Sequence, residues 1–239
     1  MNAGSKSFCR LFTSVGLAIL LLLVSVFAKE YWQAKPFTQW NEQEATAMVT
    51  DSPWCRPCAI PGNYGGSAAP RMSSGGMLSG SSLPQTGGGF GGTEAARFYV
   101  RWYSSLMVRQ ALGRLGQLRG GMSEAEVNQF LRQPMEDYAI AISAPVMDPF
   151  AGATYDSLKS KTVLFSKKNK STRIELKSYS SPKGRVDGFA IFFFPRSLNG
   201  QPTLDPADDE IVFETEIGSA KIRAAFKLAR MMVDGKLDL

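Results

Sequence analysis

The chain has 239 residues, 44% of them hydrophobic and 20% charged, with three cysteines and a formal charge of +6. That length suits an export segment, a linker and one domain with a real core, and leaves little room for two large folded domains. There is no histidine, which excludes Ser-His-Asp, Cys-His and His-metal chemistry, because the commonest general base and the commonest zinc ligand are both missing.

Met1 to Ala28 opens with the bases Lys6 and Arg10, continues in an uncharged run from Leu11 to Phe27, and ends on Val26-Phe27-Ala28, a small-residue cleavage pattern. This is the layout of an export signal. The apolar run is slightly long for a cleaved signal and slightly short for a comfortable span, so two readings stand: a removed signal peptide, or an N-terminal membrane anchor, a transmembrane helix over residues 11–28. Both put the remainder outside the cytoplasm, periplasmic or secreted, with the two bases inside. Cys9 precedes the apolar run, which does not fit a lipoprotein signal. No acid lies in residues 1–28, so losing the two bases leaves a charge of +4, too mild to indicate nucleic acid.

Residues 29–54 read as a short helical segment. Asn41 and Glu44 have capping-box spacing, Trp40 can staple against Ala45, and Ser52-Pro53 stops the helix. Ala45, Met48 and Val49 form one apolar stripe on a helix too short to be stable alone. Trp40, Met48, Val49 and Trp54 therefore dock either on the chain's own domain or on a partner. Residues 55–92 contain eleven Gly, six Ser and four Pro with no periodic apolar pattern, and read as a flexible linker that cannot offset its ordering entropy.

The main domain spans residues 93–239. Arg97 to Ser104 is aromatic and β-branched enough for a strand, and Leu106 to Leu118 carries Val108, Ala111, Leu112, Leu115 and Leu118 on one helical face, with Arg101, Arg109, Arg114 and Arg119 decorating the region. Ser123 and Glu126 form a second capping box before a helix ended by Pro134. Tyr138, Ile140 and Ile142 alternate as a strand. Thr162 to Ser166 and Arg173 to Tyr179 read as a hairpin around Lys168-Asn169-Lys170. Asp187 to Pro195 is apolar on both faces, which calls for a central strand covered on both sides.

Asp209 to Leu228 carries the strongest pattern. A two-residue turn at Gly218-Ser219, with glycine first, pairs Ile217 with Ala220, Thr215 with Ile222, Phe213 with Ala224 and Ile211 with Phe226 on an apolar face. The same register sets Glu216 opposite Lys221, Glu214 opposite Arg223 and Glu210 opposite Lys227, and a one-residue slip would ruin both faces. Ile222, Ala225, Phe226, Ala229, Met232 and Val233 also recur at helical spacing, so residues 220–233 remain open between strand and helix. The expected class is α+β: a mostly antiparallel sheet of about six or seven strands with two helices packed on one face.

KPFTQW (Lys35–Trp40), DSPW (Asp51–Trp54), VRWYSS (Val100–Ser105), FFFPRS (Phe192–Ser197), FKLARMM (Phe226–Met232) and GKLDL (Gly235–Leu239) together resemble a family of exported bacterial proteins. The resemblance spans both ends of the exported chain, implies export, and brings no activity with it.

Trp54-Cys55-Arg56-Pro57-Cys58 resembles the thioredoxin-like redox pattern, in which a helix N-terminus lowers the pKa of the first thiol. The following AIPGNYGG opens no helix, so a local disulfide or inert thiols is the simpler expectation, with Cys55 and Cys58 kept as redox candidates. Lys159, Lys161, Lys167, Lys168, Lys170, Arg173 and Lys177 form a basic stretch that could meet an anionic surface. Against it, Asp205 to Glu216 holds six acids and no base, so the two can neutralise one another across the fold. No residue set calls for a metal or other cofactor, and no convergent catalytic set is visible. The expected function is a non-enzymatic exported binding or scaffold domain, its partner an envelope component or protein of unknown identity, or the membrane if the first segment is retained. The alternative is a thiol redox protein using WCRPC.

Overall fold

In the computed structural model, residues 30–60, 96–169, 173–218 and 220–239 are described. The chain divides into two compact units, Met1–Pro36 and Phe37–Leu239. Of the first, the described part is a single turn of helix, α1 (Tyr31–Ala34), in which the Tyr31 and Trp32 rings meet edge to face at 5.0 Å. The expected export segment over residues 1–28 and the expected linker from residue 61 to its end at residue 92 lie outside the described residues. Among the described residues, no helix is long and apolar enough to cross a membrane.

The second unit is α+β, with antiparallel pairing between its strands. Its helices are α2 (Glu42–Thr50), α3 (Leu106–Leu118), α4 (Glu124–Arg132) and two single turns, α5 (Asp148–Ala151) and α6 (Tyr155–Leu158). The strands are β1 (Cys55–Ile60), β2 (Ala96–Trp102), β3 (Asp137–Ser143), β4 (Val163–Ser166), β5 (Arg173–Glu175), β6 (Ser178–Ser180), β7 (Ala190–Pro195), β8 (Ser197–Leu198), β9 (Gln201–Pro202), β10 (Glu210–Ile217), β11 (Ala220–Lys227), β12 (Met232–Val233) and β13 (Lys236–Leu237). They build a five-stranded sheet in the order β1-β2-β3-β7-β6, a four-stranded sheet in the order β11-β10-β4-β5, and two small ribbons.

The expected single sheet of six or seven strands is thus two sheets, and the expected pair of helices is a larger set. The reason lies in β7. Its inward residues Phe192 and Phe194 both stack on Phe213 of β10, at 5.3 and 6.2 Å between ring centres, so the second sheet supplies the cover that a double-sided apolar strand needs. Trp102 of β2 meets Phe226 of β11 edge to face at 5.4 Å in the same core. Burying such rings contributes about 1.5–3 kcal/mol each.

The hairpin of β10 and β11 has the register expected of it, from Ile217 opposite Ala220 to Glu210 opposite Lys227. Residues 220–227 are strand, because the inward set Ala220, Ile222, Ala224 and Phe226 is buried only in that alternation. Gly218 adopts the positive φ of 59° that a tight hairpin turn demands. Of the charge pairs, Glu214 meets Lys221 at 3.0 Å and Arg223 at 3.6 Å, Glu216 meets Lys221 at 3.8 Å, and Glu210 turns to Lys167 at 3.0 Å.

Two further expectations change. Residues 55–60 are not linker: β1 pairs with β2 along its whole length, and its edge is tied to β11, Arg56 Nε donating to the Ala225 carbonyl at 3.1 Å and the Cys58 thiol to the Arg223 carbonyl at 3.2 Å. The expected hairpin after Thr162 is real for β4 and β5, but Leu176-Lys177 then crosses over and β6 joins β7 in the other sheet.

α2 packs on the outer face of β1 and β2, α3 packs on α2 and α4 on α3, while α6 contacts β10 of the other sheet. Both capping boxes form with reciprocal side-chain and backbone bonds, at Asn41 with Glu44 and at Ser123 with Glu126. The N-terminus of α3 is held from far along the chain: Asp238 accepts from Ser105 Oγ at 2.6 Å, Leu106 N at 2.8 Å and Met107 N at 3.0 Å. The Asp238 carbonyl accepts from Trp54 Nε1 at 2.8 Å. Trp40, Met48, Val49 and Trp54 are all buried in this chain's own core. Their apolar area is spent mainly on packing within this chain.

Candidate functional site

Outward-pointing residues of a strand whose outer face lies under helices are normally apolar. β2 departs from this. Phe98, Val100 and Trp102 point inward, and Arg101 points outward yet is only 3% exposed. Its Nε donates to the Val49 carbonyl in the last turn of α2, and its Nη1 donates to Ser143 Oγ of β3 at 2.6 Å. The guanidinium lies over the rings of Phe189, at 5.1 Å, and Tyr99, at 5.6 Å. Burial lowers the affinity of Arg101 for its proton, offset in part by the Cys55 sulfur and Tyr99 beside it. Among the described residues no carboxylate pairs with it. These bonds and a hydrogen bond to Cys55 use part of its five-donor set, and the partial negative charge at the α2 C-terminus is about half an elementary charge.

Above Arg101 opens a cleft of about 940 Å³, within the roughly 300–1,000 Å³ typical of small-molecule sites. The last turns of α2 and α3 line it through Val49, Leu112 and Leu115, and the loops after β3 and before β7 through Met147 and Phe189. Arg97, Arg119 and Lys183 add exposed positive charge. Arg119 is paired with Glu42 at 3.0 Å. Two acids are present, Asp148 and Asp187. Asp187 is clamped by Arg185 through contacts of 2.9 and 2.6 Å.

The cysteines of WCRPC lie at the back of this region, on a strand rather than at a helix start. Cys55 faces the helices, where its thiol donates to the Val49 carbonyl at 3.1 Å, while Cys58 faces β11. Residues three apart on a strand are separated by about 10 Å between Cα atoms, beyond the roughly 4.4–6.8 Å of a disulfide. Both thiols are free. Burial pushes Cys55 up to about 12, Arg101 offsetting it only in part, and pushes Cys58 up to about 11. Neither is a thiolate at neutral pH, so the arrangement supplies no activated nucleophile.

Three residues of the basic stretch are paired with acids. Lys159 pairs with Asp156 at 2.9 Å, Lys167 with Glu210 at 3.0 Å and Lys177 with Asp137 at 2.8 Å. Lys161, Lys168 and Arg173 are exposed, and Lys170 is outside the described residues. Of the three paired lysines, Lys167 is the one that meets the acidic segment, through Glu210. Among the described residues, no group of three or more acidic or cysteine side chains could hold a metal ion. Two buried donors, Trp102 Nε1 and Arg109 Nε, lack partners, and neither lines the cleft.

Sequence reasoning noted Arg101 only as one of several arginines. The available signal was its position inside the run Phe98 to Trp102, where an arginine interrupts a strand that the structure buries on both faces. Comparison with family models, with curated proteins and with solved structures finds no match for this chain.

Proposed function

We propose that this chain is an exported binding domain of the bacterial cell envelope, released by cleavage after Ala28 or anchored by residues 11–28, and that it works by holding a ligand in the cleft over Arg101. The observation that carries the reading is a buried arginine that has no carboxylate partner among the described residues, at the floor of a cleft of ligand size. A buried cation is costly unless something compensates it, and a ligand can do so. The buried, protonated thiols support binding over redox chemistry, and the bases and apolar run of residues 1–28 support export.

Two measurements test this. Fractionation of cells, with the N-terminal mass of the recovered protein, distinguishes a start at Lys29 from a retained anchor; an intact chain in the cytosol refutes export. A thermal-shift screen of small charged and neutral molecules should return stabilising ligands, and a screen with none refutes the binding role.

A further inference from the structure

We propose that the cleft takes a small monocarboxylate with an apolar body, its carboxylate on the Arg101 guanidinium and its apolar part between Leu112, Leu115 and Phe189. This rests on the reading of the cleft as a binding site and specifies what enters it.

Three features select the ligand. The guanidinium is held by the Val49 carbonyl and Ser143 Oγ and lies over the rings of Tyr99 and Phe189. Arg101 lines the cleft, and its remaining donors suit a carboxylate, which a guanidinium held in place binds more strongly than a neutral acceptor. The charge count favours a monoanion. Arg101 is the cation buried at the floor, Arg97 and Lys183 stand exposed at the rim and Arg119 is paired with Glu42, while the C-terminal ends of α2 and α3, with Val49, Leu115 and Arg119, border the cleft. Helix C-termini repel a second negative charge, as do Asp148 and Asp187. The walls then decide the rest of the molecule. Val49, Leu112, Leu115, Met147 and Phe189 give an apolar lining that a fully polar anion would leave unused.

The test uses the protein as recovered from cells, with hexanoate, hexanamide and inorganic phosphate as probes in ligand-detected NMR. Hexanoate should bind saturably, and hexanamide, the same shape without the charge, roughly tenfold or more weakly; phosphate should bind more weakly than hexanoate. Arg101→Lys keeps the charge and loses the guanidinium, and should weaken hexanoate by a similar factor. Because Arg101 is buried and its replacement can disturb folding, Leu112→Glu on the half-buried wall is the second variant. It should abolish hexanoate binding with an unchanged melting profile. If hexanoate binds no better than hexanamide, if phosphate binds better than hexanoate, or if folded Leu112→Glu binds hexanoate normally, the carboxylate assignment falls while the cleft keeps its role. If none of the three probes binds and the thermal-shift screen also finds no ligand, both readings fall together.

Discussion

Removing the Asp238 carboxylate should destabilise the fold through a helix more than a hundred residues away in sequence. The side chain accepts from Ser105 Oγ, Leu106 N and Met107 N at 2.6, 2.8 and 3.0 Å, while the local cap, Ser105 Oγ to Val108 N, is long at 3.4 Å. Asp238→Ala leaves two helix N–H groups without an acceptor. Loss of a cap costs about 0.5–2 kcal/mol and loss of an anion at a helix N-terminus about 0.3–1 kcal/mol. The sum is about 2 kcal/mol. The Trp54 Nε1 bond goes to the Asp238 backbone carbonyl and survives the substitution, so the change isolates the carboxylate. In urea unfolding the midpoint should fall with an unchanged slope, and the melting temperature should drop by roughly 4–8 °C for a domain of this size. Asp238→Asn keeps an acceptor and should lose about half as much. A shift of Asp238→Ala below about 0.5 kcal/mol would refute the capping role, since surface substitutions without a role fall in that range.

At α3, a Cβ on Gly113 would stand 2.8 Å from Val127 Cγ1 on α4, whereas one on Gly116 would meet the flexible Met122 side chain. Gly113→Ala should therefore cost about 1 kcal/mol despite its helix propensity, and Gly116→Ala should stay within about 0.5 kcal/mol, both read by chemical unfolding. Gly218→Ala forces a side chain into positive φ and should cost about 1–2 kcal/mol. Cys55 is raised to about 12 in the fold from about 8.5 in an unfolded chain. The folded state therefore holds its proton longer, and its contribution is full below the unfolded value. Stability is lost as pH rises from about 9 towards 12, by at most about 1.4 kcal/mol per pH unit. Cys55→Ala should flatten that alkaline slope relative to wild type in pH-dependent unfolding, and an identical slope would count against the buried neutral thiol. Phe213→Ala, which removes the ring shared by Phe192 and Phe194, should cost about 3–5 kcal/mol by the same unfolding measurement.

The sequence by itself determined the features whose partners lie a few residues apart. The capping boxes at Asn41 and Ser123, the extent of α3 and the complete register of the β10–β11 hairpin are set by local hydrogen bonding and by side-chain alternation, which are written in consecutive residues. Residues 220–227 needed one more fact, since their apolar spacing serves a helix as well as a strand, and the core around Phe226 decided between them. Only the tertiary structure decided the rest. The crossing between β5 and β6 splits the strands into two sheets, and nothing in Leu176-Lys177 announces which sheet comes next. β1 sits in a stretch whose glycine-rich continuation masked it, and it becomes a strand because β2 offers it a ladder of backbone hydrogen bonds, with the Arg56 and Cys58 side chains tying it to β11. Asp238 caps a helix from the far end of the chain, and Arg101 acquires its meaning from Val49, Ser143 and Phe189, which come from three separate segments. Such contacts depend on where folding places distant residues, and no local pattern encodes that distance.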